Sequence, residues 1–524
     1  MSADLALVNG NIITMDTSNP RAEAIAVKGE IIIKVGTNSE IAQLIDNTTK
    51  VIQLEGKTVV PGFIDTHIHV ADLGRLLMWV NLTGSKSIKD MQNMLKKKII
   101  QTPPGKWVLG RGWNEKFFKK GCFPNRFDLD AVAPDNPVVF YNQSGKLCLV
   151  NSKALEFAKI VQETVKLSTE GIVEKDPITG APTGILEGKA MDHVWSAISE
   201  PMEKELLELT YLACSKILEA GITSVHWMVL SPLEFSIIKK LKHNGVPLRI
   251  YVVIPFEIWK KDLKIFLASC HQKNSLEIGA LEISVDGYLA NKTAALFRPY
   301  MDGSESTGKL LYTQECLSSS IFEVTQSGFQ LIIHAVGDKA IKEALIAVEK
   351  AMNKTNNQDT RVRFEQAALI NKSLLKRLKN QKIIVSVQPC VINSEFKTWS
   401  AIDNLGQSRA RWLFPLRTLI DNDIVLIGGS DCPMEPLNPL LGIQTVVNRQ
   451  FFPKEGIDVA EAMAMYTIDA AYSTKEENYK GSIKEGMLAD LTIISKDPTI
   501  ISSKNIGKVE VKTTIIGGKI VYCE

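Results

Sequence analysis

Hydrophobic and polar residues alternate along most of the chain in two rhythms. Between residues 60 and 475, short apolar runs of strand length are followed by longer stretches with the period of about 3.6 residues that is typical of an amphipathic helix. This alternation predicts repeated βαβ units around a parallel sheet. Eight parallel strands close a barrel, so we predict an α/β fold of the (β/α)8 TIM-barrel class. The eight predicted barrel strands are Val60 to Ile68, Ile222 to His226, Leu248 to Ile254, Ala280 to Val285, Gln330 to Ala335, Arg361 to Glu365, Ile383 to Val387 and Ile424 to Gly428.

Both ends of the chain show only the strand pattern. Residues 1–60 contain short β-rich runs separated by turn signals such as Asn9-Gly10. Residues 476–524 contain similar runs around the hairpin signal Gly517-Gly518. We therefore predict that the two ends form one small composite β-sandwich and that residues 61–475 form the barrel domain.

The gap between the first two predicted barrel strands is much longer than an ordinary βα connection. Residues near 104–190 are rich in Trp, Gly, Pro and short strand signals. We predict a subdomain inserted here, after the first barrel strand and beside the active-site face, because loops at the carboxyl ends of barrel strands carry function.

Composition limits the kinds of protein that this chain can be. Hydrophobic residues make up 45% of the 524 residues and charged residues 23%, which allows a large buried core. The 61 basic and 58 acidic residues are interspersed and give a net charge of +3, with no sign of a nucleic-acid-binding stripe. No apolar run approaches the ~20 residues of a membrane span, and the start lacks a signal-peptide pattern. The eight cysteines show no paired spacing, so we expect a reducing, cytoplasmic location without disulfides.

The first predicted barrel strand leads into the sequence His67-Ile68-His69. Residues two apart on a strand project from the same face, so both imidazoles can bind one ion. A single buried histidine is more often a packed core residue, which remains the alternative here. A pair at this spacing favours a metal site.

Three further residues on predicted strands can complete such a site. Glu282 lies on the inward side of the fourth strand, where an isolated carboxylate has a large desolvation cost and needs a metal ion or, alternatively, a Lys or Arg partner. His334 and Asp431 end two other strands, where barrel enzymes place functional groups. The alternative for Asp431 is a helix N-cap.

Together these residues resemble a known family. The sequence Pro-Gly-Phe-Ile-Asp-Thr-His-Ile-His that ends at His69, the strand-five His334 and the Gly-Gly-Ser-Asp that ends at Asp431 resemble the amidohydrolase superfamily. The resemblance covers nearly the whole chain and is most specific for family 3, the branch that includes N-substituted formamide deformylases. The motifs that carry it are Gly112-Trp113-Asn114-Glu115, Asn151-Ser152-Lys153-Ala154-Leu155, Thr183-Gly184-Ile185-Leu186-Glu187, Asp286-Gly287 with Thr293-Ala294-Ala295, and Gly481-Ser482-Ile483 with Ala489-Asp490.

The resemblance implies a metal centre with assigned roles. It implies that His67, His69 and Asp431 hold one divalent ion, and that Asp431 also moves protons. His334 would help to hold a second ion. Glu282 would bridge the two ions, since it stands where many relatives carry a carboxylated lysine.

Two other positions depart from the family pattern. The strand-six motif, usually Glu-His, reads Glu365-Gln366 here, so Gln366 is expected to be a weak metal ligand or a pocket residue. Ser144-Gly145-Lys146 places an ammonium where the family has an imidazole. Expected proximity to the pocket mouth makes five side chains candidates for substrate binding: Trp113, Lys146, His226, Tyr288 and Lys292.

The sequence therefore predicts a metal-dependent hydrolase that cleaves a carbon–nitrogen, amide-like bond of a small molecule through a metal-activated hydroxide. Asp431 would act as general base and then general acid. Zinc is the default ion, and Fe²⁺ or Mn²⁺ would suit the donor set almost equally. Two alternatives stay open: a catalytically degenerate binding or sensory barrel, motivated by Gln366 and Lys146, and a lyase or deaminase reaction at the same site. The expected partner is a small molecule rather than nucleic acid or a membrane, and a homodimer stays open because barrels of this size often dimerise.

Overall fold

The structure, a computed structural model, describes residues 2–118, 123–160, 171–262, 278–355 and 361–524. The chain divides into two compact units. One comprises residues 1–73 together with 210–524, and the other comprises residues 74–209.

The first unit contains the predicted barrel. Among the described residues, eight parallel strands form one sheet in which the order of neighbours follows the order along the chain. A parallel bridge between Ile68 and Cys432 connects the region after the eighth strand to the first strand, so the sheet is nearly closed. The predicted fold class is confirmed. The barrel strands are Phe63–Ile68, Ile222–Met228, Arg249–Pro255, Ile278–Ser284, Gln330–Ala335, Arg363–Gln366, Ile384–Val387 and Leu426–Gly428.

Burial explains why these short runs become barrel strands. Every residue of Phe63–Ile68 and of Ile222–Met228 is buried, as expected where helices cover the outside of a parallel sheet and side chains fill its inside. Polar residues within such strands therefore point into a closed interior, where each needs a partner.

The two ends of the chain share one β-structure, also within the first unit. Val59 pairs with Ile12 on one side and with Ile493 on the other, so strands from both ends lie in the same sheet. A second sheet packs with it around a buried apolar cluster that includes Leu7 and Leu491. The first sheet has the strands Lys519–Cys523, Val511–Ile516, Leu491–Ile494, Thr58–Pro61, Asn11–Ile13 and Arg21–Ala22, and the second has Ile31–Gly36, Ala24–Lys28, Leu5–Val8 and Lys50–Gln53.

One predicted strand is divided in the structure. The run from Val60 to Ile68 splits into Thr58–Pro61, which belongs to the sandwich, and Phe63–Ile68, which belongs to the barrel. Gly62 stands at the break, and a Cβ at this position would collide with the side chain of Thr223. The chain changes sheets at Pro61-Gly62 because Pro has no N–H for a ladder and Gly allows the close approach.

The second unit has its own mixed sheet, flanked by two apolar clusters around Trp113 and Leu186. It covers residues 74–209, a longer span than the predicted insertion near 104–190. Its strands are Gly171–Lys175, Pro182–Gly188, Leu147–Val150, Val138–Asn142, Val108–Trp113 and Val80–Asn81.

Helices connect the strands of both units. Asn38–Ala42 belongs to the sandwich region, and most of the longer helices follow barrel strands. The other described α-helices are Val70–Leu77, Ile88–Ile99, Arg126–Asp130, Ser152–Phe157, Ala190–Ala197, Glu203–Glu219, Pro232–His243, Phe256–Lys261, Gln314–Gln326, Asp338–Thr355, Lys372–Asn380, Pro389–Lys397, Ala401–Leu405, Gln407–Ala410, Leu416–Ile420, Pro439–Val447, Val459–Ala464 and Ile468–Ser473.

No helix among the described residues is both long enough and apolar enough to cross a membrane. Cys148, Cys214, Cys316, Cys390 and Cys523 are free thiols, and Cys122 and Cys270 lie outside the described residues.

Candidate metal centre

Three donor side chains meet at the carboxyl ends of the first and eighth barrel strands. His67 lies within the first strand, His69 just beyond it, and Asp431 three residues after Leu426–Gly428. One donor atom from each lies within 4.8 Å of the others. Oδ1 of Asp431 is 3.7 Å from Nε2 of His67 and 3.5 Å from Nε2 of His69. The structure thus brings together the three residues that sequence reasoning selected as first ligands.

Local backbone contacts hold the two loops in this arrangement. The N–H of Asp431 donates to the carbonyl of His67 at 2.8 Å. Oδ1 of the buried Asp65 accepts from the backbone N–H groups of Ser430 at 2.8 Å and His67 at 3.2 Å. Gly429 makes the approach sterically possible, since a Cβ there would lie 2.6 Å from the backbone nitrogen of His67.

The alternative role for Asp431, a helix N-cap, is not realised. The helix that follows begins at Pro439, and its N-cap is Asn438. Asp431 instead has a left-handed backbone conformation, with φ of 56°, in the loop between strand and helix. Its carboxylate is therefore directed by the loop toward the two imidazoles rather than toward helix N–H groups.

Two further predicted ligands lie inside the barrel with unsatisfied polar atoms. Glu282 is on the fourth strand and His334 on the fifth, and both are buried. Oε2 of Glu282 and both ring nitrogens of His334 lack a hydrogen-bond partner among the described residues. Glu282 also forms no ion pair with a lysine or arginine in the described part of the chain, so the alternative explanation for its burial is not realised. Buried polar atoms without partners are energetically costly, and a bound cation would satisfy these.

The protonation of these groups reflects their burial. Burial lowers the pKa of His334 to about 4, so this ring is neutral and available as a ligand near pH 7. Burial also raises the pKa of Glu282. For His67, burial acts to lower the pKa, but the carboxylates of Glu365 and Asp431 outweigh it and raise the value to about 9.

The donor set fits a divalent metal ion. Two imidazoles and a carboxylate suit Zn²⁺, Fe²⁺ or Mn²⁺, and tetrahedral catalytic zinc sites use three protein ligands of this kind. In the described residues, His67, His69 and Asp431 form the one group of three or more His, Cys, Asp or Glu donors with this proximity. Glu282 and His334 lie outside that group.

Comparison with known proteins identifies the family. The model of a family described as the amidohydrolase family matches residues 50–522. The chain belongs to the amidohydrolase family. The resemblance inferred from the sequence motifs is therefore confirmed.

Individual amidohydrolase relatives match over nearly their full length. The Bacillus subtilis protein YtcJ, whose name describes it as an amidohydrolase, is 31% identical over 98% of both chains. The N-substituted formamide deformylase of Arthrobacter pascens is 26% identical over 99% of this chain and 98% of its own. A metal-dependent hydrolase from Pyrococcus furiosus has a similar structure, with a TM-score of 0.78, 28% identity and coverage of 94% of this chain and 99% of the other. This amidohydrolase is accordingly a metal-dependent hydrolase.

The residue that departs from the family on the sixth strand is buried beside the centre. Gln366 ends the strand Arg363–Gln366 in a left-handed conformation, with φ of 68°. It pairs in the sheet with Ala335, next to His334. An amide at this place is a much weaker ligand than an imidazole.

Two of the five candidate substrate-binding residues are fully buried. Trp113 lies in the core of the second unit, where its indole N–H donates to the carbonyl of Phe140 at 2.9 Å. The ring of Trp113 thus packs in this core, and its role in binding substrate stays a prediction. His226 is buried in its barrel strand, with Nδ1 2.9 Å from a guanidinium nitrogen of Arg363, and its role in binding substrate likewise stays a prediction.

The other three candidates are at least partly exposed. The Tyr288 ring lies 5.2 Å from the ring of His334, which places it at the centre. Lys292 forms an ion pair with Asp302 at 2.6 Å, so its ammonium is already engaged. Lys146 is exposed in the second unit, and its role in binding substrate stays a prediction.

Sequence reasoning missed a charged group behind His67. Oε2 of Glu365 lies 3.4 Å from Nδ1 of His67. Arg363, two residues earlier on the same strand, donates to the same carboxylate oxygen. The signal was present in the sequence, since charged residues two apart on a fully buried barrel strand share one face and must satisfy each other or a functional group.

Proposed function

We propose that this amidohydrolase cleaves a carbon–nitrogen bond of amide type in a small molecule, with a divalent ion, zinc by default, held by His67, His69 and Asp431. The observation that carries the proposal is the convergence of these three donor atoms within 4.8 Å at the carboxyl ends of barrel strands. A divalent ion bound there would supply a water of lowered pKa, about 7, and would polarise the scissile carbonyl. The named activity of the Arthrobacter pascens relative, a formamide deformylase, supports an amide-type bond.

The side chains around the centre divide the remaining tasks. Asp431 accepts the proton of the attacking water and returns it to the leaving nitrogen, as a positioned carboxylate can do in both directions. His334 stays neutral because burial lowers its pKa to about 4, so it can act as a ligand or as a hydrogen-bond partner of the substrate. Tyr288, half exposed beside the His334 ring, is placed to contact the substrate.

The proposal includes the location of the enzyme and the nature of its partner. The free thiols of Cys148, Cys214, Cys316, Cys390 and Cys523 support a reducing, cytoplasmic compartment. The convergent polar groups at one barrel end support a small-molecule substrate.

The test is turnover by protein loaded separately with Zn²⁺, Fe²⁺ and Mn²⁺, on a panel of N-formyl and N-acyl amines and on the matching esters. We expect amine release from amides with at least one ion, and a loss of about 100-fold or more in Asp431→Asn, which keeps the size of the side chain but removes the proton acceptor. Thr37→Ala, a helix N-cap change on Asn38–Ala42 in the sandwich region, is the control and should keep its turnover. Turnover of the esters alone would contradict the assignment of a C–N bond.

A second function is favoured by one observation. Gln366 places an amide where the family has an imidazole ligand, which is the change expected in a barrel that binds small molecules without converting them. Tight binding of an ion without turnover of any amide or ester, in wild type and in Gln366→His alike, would support this binding protein over the hydrolase.

A further inference from the structure

Glu365 lies behind the ring of His67, on the side away from Asp431. Its Oε2 is 3.4 Å from Nδ1 of His67, while Nε2 of the same ring is 3.7 Å from Asp431. Both Glu365 and His67 are buried. Nδ1 of His67 makes no hydrogen bond within the described part of the chain, and Oε2 of Glu365 is the acceptor that faces it. The geometry leaves this carboxylate as the natural acceptor for a proton on Nδ1.

The carboxylate of Glu365 is held from two other directions. Arg363 donates to its Oε2, and Nε2 of Gln388 donates to its Oε1 at 2.6 Å. All three side chains are fully buried. Ser386 also contacts this carboxylate. The buried carboxylate is therefore fixed by its neighbours, and its Oε2 faces Nδ1 of His67.

Arg363 connects the same carboxylate to the backbone of the histidine strand. A second bond of its guanidinium goes to the carbonyl of Thr66, the residue before His67, and a third to Nδ1 of His226 at 2.9 Å. The guanidinium of Arg363 and the carboxylate of Glu365 form an ion pair in which both side chains are fully buried. An ionised acceptor in a dry interior makes a strong, directional hydrogen bond.

We propose that Glu365 is a positioning residue that keeps the proton of His67 on Nδ1 and so presents the lone pair of Nε2 to the metal ion. A carboxylate that accepts from the distal nitrogen of a ligating histidine sets the tautomer and the orientation of the ring and increases its strength as a ligand. This inference rests on the proposed function, because it takes His67 as a metal ligand.

A purely structural ion pair between Arg363 and Glu365 would give different consequences. Such a pair would stabilise the barrel interior and leave the ion affinity of the folded protein unchanged when it is broken. A positioning residue changes the affinity for the ion in protein that is still folded.

The first readout is the affinity for Zn²⁺, measured by competition with a chelator of known affinity. We expect Glu365→Gln to weaken binding by about 10- to 100-fold and Glu365→Asp to recover part of the loss. The matched control is Asp490→Asn, which also removes the charge of a buried carboxylate paired with an arginine, Arg249, at 2.5 Å. The control should lower the midpoint of thermal unfolding and keep the wild-type affinity. Equal affinities in wild type and in folded Glu365→Gln would overturn the proposal.

A double variant keeps the test decisive if Glu365→Gln does not fold. Arg363→Met with Glu365→Leu removes both charges at once, and replacing a buried ion pair by apolar residues is often neutral for stability. We expect this folded double variant to show the same weakened Zn²⁺ binding. If the double variant binds Zn²⁺ with the wild-type affinity, the Arg363–Glu365 pair serves stability alone.

The second readout does not need the ion. In metal-free protein labelled with ¹⁵N-histidine, the ring shifts at pH 10 report which nitrogen of neutral His67 carries the proton, with the signal assigned by its loss in His67→Asn. We expect Nδ1 to be protonated in wild type and the proton to shift to Nε2 in the double variant. If wild type binds no ion but shows this difference, the proposed function fails and the positioning role of Glu365 stands. If Nε2 carries the proton in wild type, the positioning role fails whatever the ion does.

Discussion

Single residues decide how closely the loop that carries Asp431 approaches the end of the first barrel strand, which carries His67. Gly429 lies opposite the backbone of His67, and the carbonyl of His67 accepts the N–H of Asp431 at 2.8 Å. The site therefore depends on the absence of a side chain at one position as much as on the presence of three donors.

Gly429→Ala tests this dependence. The new Cβ would lie 2.6 Å from the backbone nitrogen of His67, closer than real contacts of this kind, so the loop carrying Asp431 must move. We expect a loss of at least about 10-fold in Zn²⁺ affinity, because small displacements of ligands are costly. Chelator competition measures it. The control is Gly507→Ala, whose nearest neighbours are ends of flexible side chains at 3.1 Å and beyond, and unchanged affinity in both variants would contradict the argument.

The protonation of His67 predicts how ion binding depends on pH. Because nearby carboxylates raise its pKa to about 9 from 6.5, the ring of the metal-free protein carries an extra proton at neutral pH. This protonation contributes to folding fully below about 6.5, and the contribution is lost as the pH rises through about 9. Ion binding must displace the proton, so we expect the affinity to rise as the pH increases up to about 9.

Calorimetric titration of Zn²⁺ in two buffers of different ionisation enthalpy measures the released proton. We expect about one proton released per ion at pH 7.5 from His67. No difference between the buffers would show that the ring is already neutral in the metal-free protein.

The elements of the barrel are joined at their carboxyl ends by buried side chains. Asp286 follows the fourth strand, and its carboxylate accepts from the backbone N–H groups of Val336 and Gly337 after the fifth strand, each at 2.9 Å. It also accepts from Ala295 at 2.7 Å, in the loop after its own strand. This carboxylate holds the loops beside Glu282 and His334 in place.

Asp286→Ala tests the role of this junction. Three buried N–H groups would lose their acceptor, each at a cost of about 1–3 kcal/mol. We expect the midpoint of thermal unfolding to fall by several degrees, with a smaller fall for Asp286→Asn, which keeps one acceptor oxygen. Differential scanning calorimetry of the metal-free proteins measures both. Equal unfolding midpoints for wild type and Asp286→Ala would contradict the claim that this carboxylate holds the loops in place.

The elements themselves were largely predictable from the sequence. The fifth barrel strand was predicted and observed as Gln330 to Ala335, because glycines at positions 328 and 337 delimit its apolar run. The run from Val60 to Ile68 was predicted as one strand, since a continuous apolar run carries no sign of the change of sheet at Pro61-Gly62. Boundaries that depend on tertiary packing are not visible in periodicity.

The site was predictable only in part, for a similar reason. The positions of His67, His69 and Asp431 follow from strand ends meeting at one face of a barrel. The role of Glu365 depends on which strand-six side chain lies behind which histidine ring, and Trp113 is buried although its motif suggested a pocket. These facts arise from contacts between distant segments.

At the scale of the whole molecule, the chain ends complete one another. Leu491 and Ile493, near the C-terminus, pair with Pro61 and Val59 near the start of the barrel. The same strand contributes to the apolar cluster around Leu7. The first unit therefore needs both ends of the chain to bury its sandwich core.

Removal of residues 491–524 tests this dependence. We expect the truncated chain to lose cooperative unfolding in calorimetry, because an edge strand and an apolar cluster become exposed. Removal of residues 523–524 alone, which ends the last strand Lys519–Cys523 slightly early, is the control and should unfold as wild type does. A cooperative transition at the wild-type temperature in the longer truncation would contradict the account.

Metal content per chain tests the central claim most directly. Elemental mass spectrometry is applied to wild type, His67→Ala and Gln366→His, each purified without added metal. The account predicts about one ion per wild-type chain, its loss in His67→Ala and a rise toward two in Gln366→His, where an imidazole is restored beside His334. Wild-type protein that holds no tightly bound ion, even after incubation with Zn²⁺, Fe²⁺ or Mn²⁺, would contradict it.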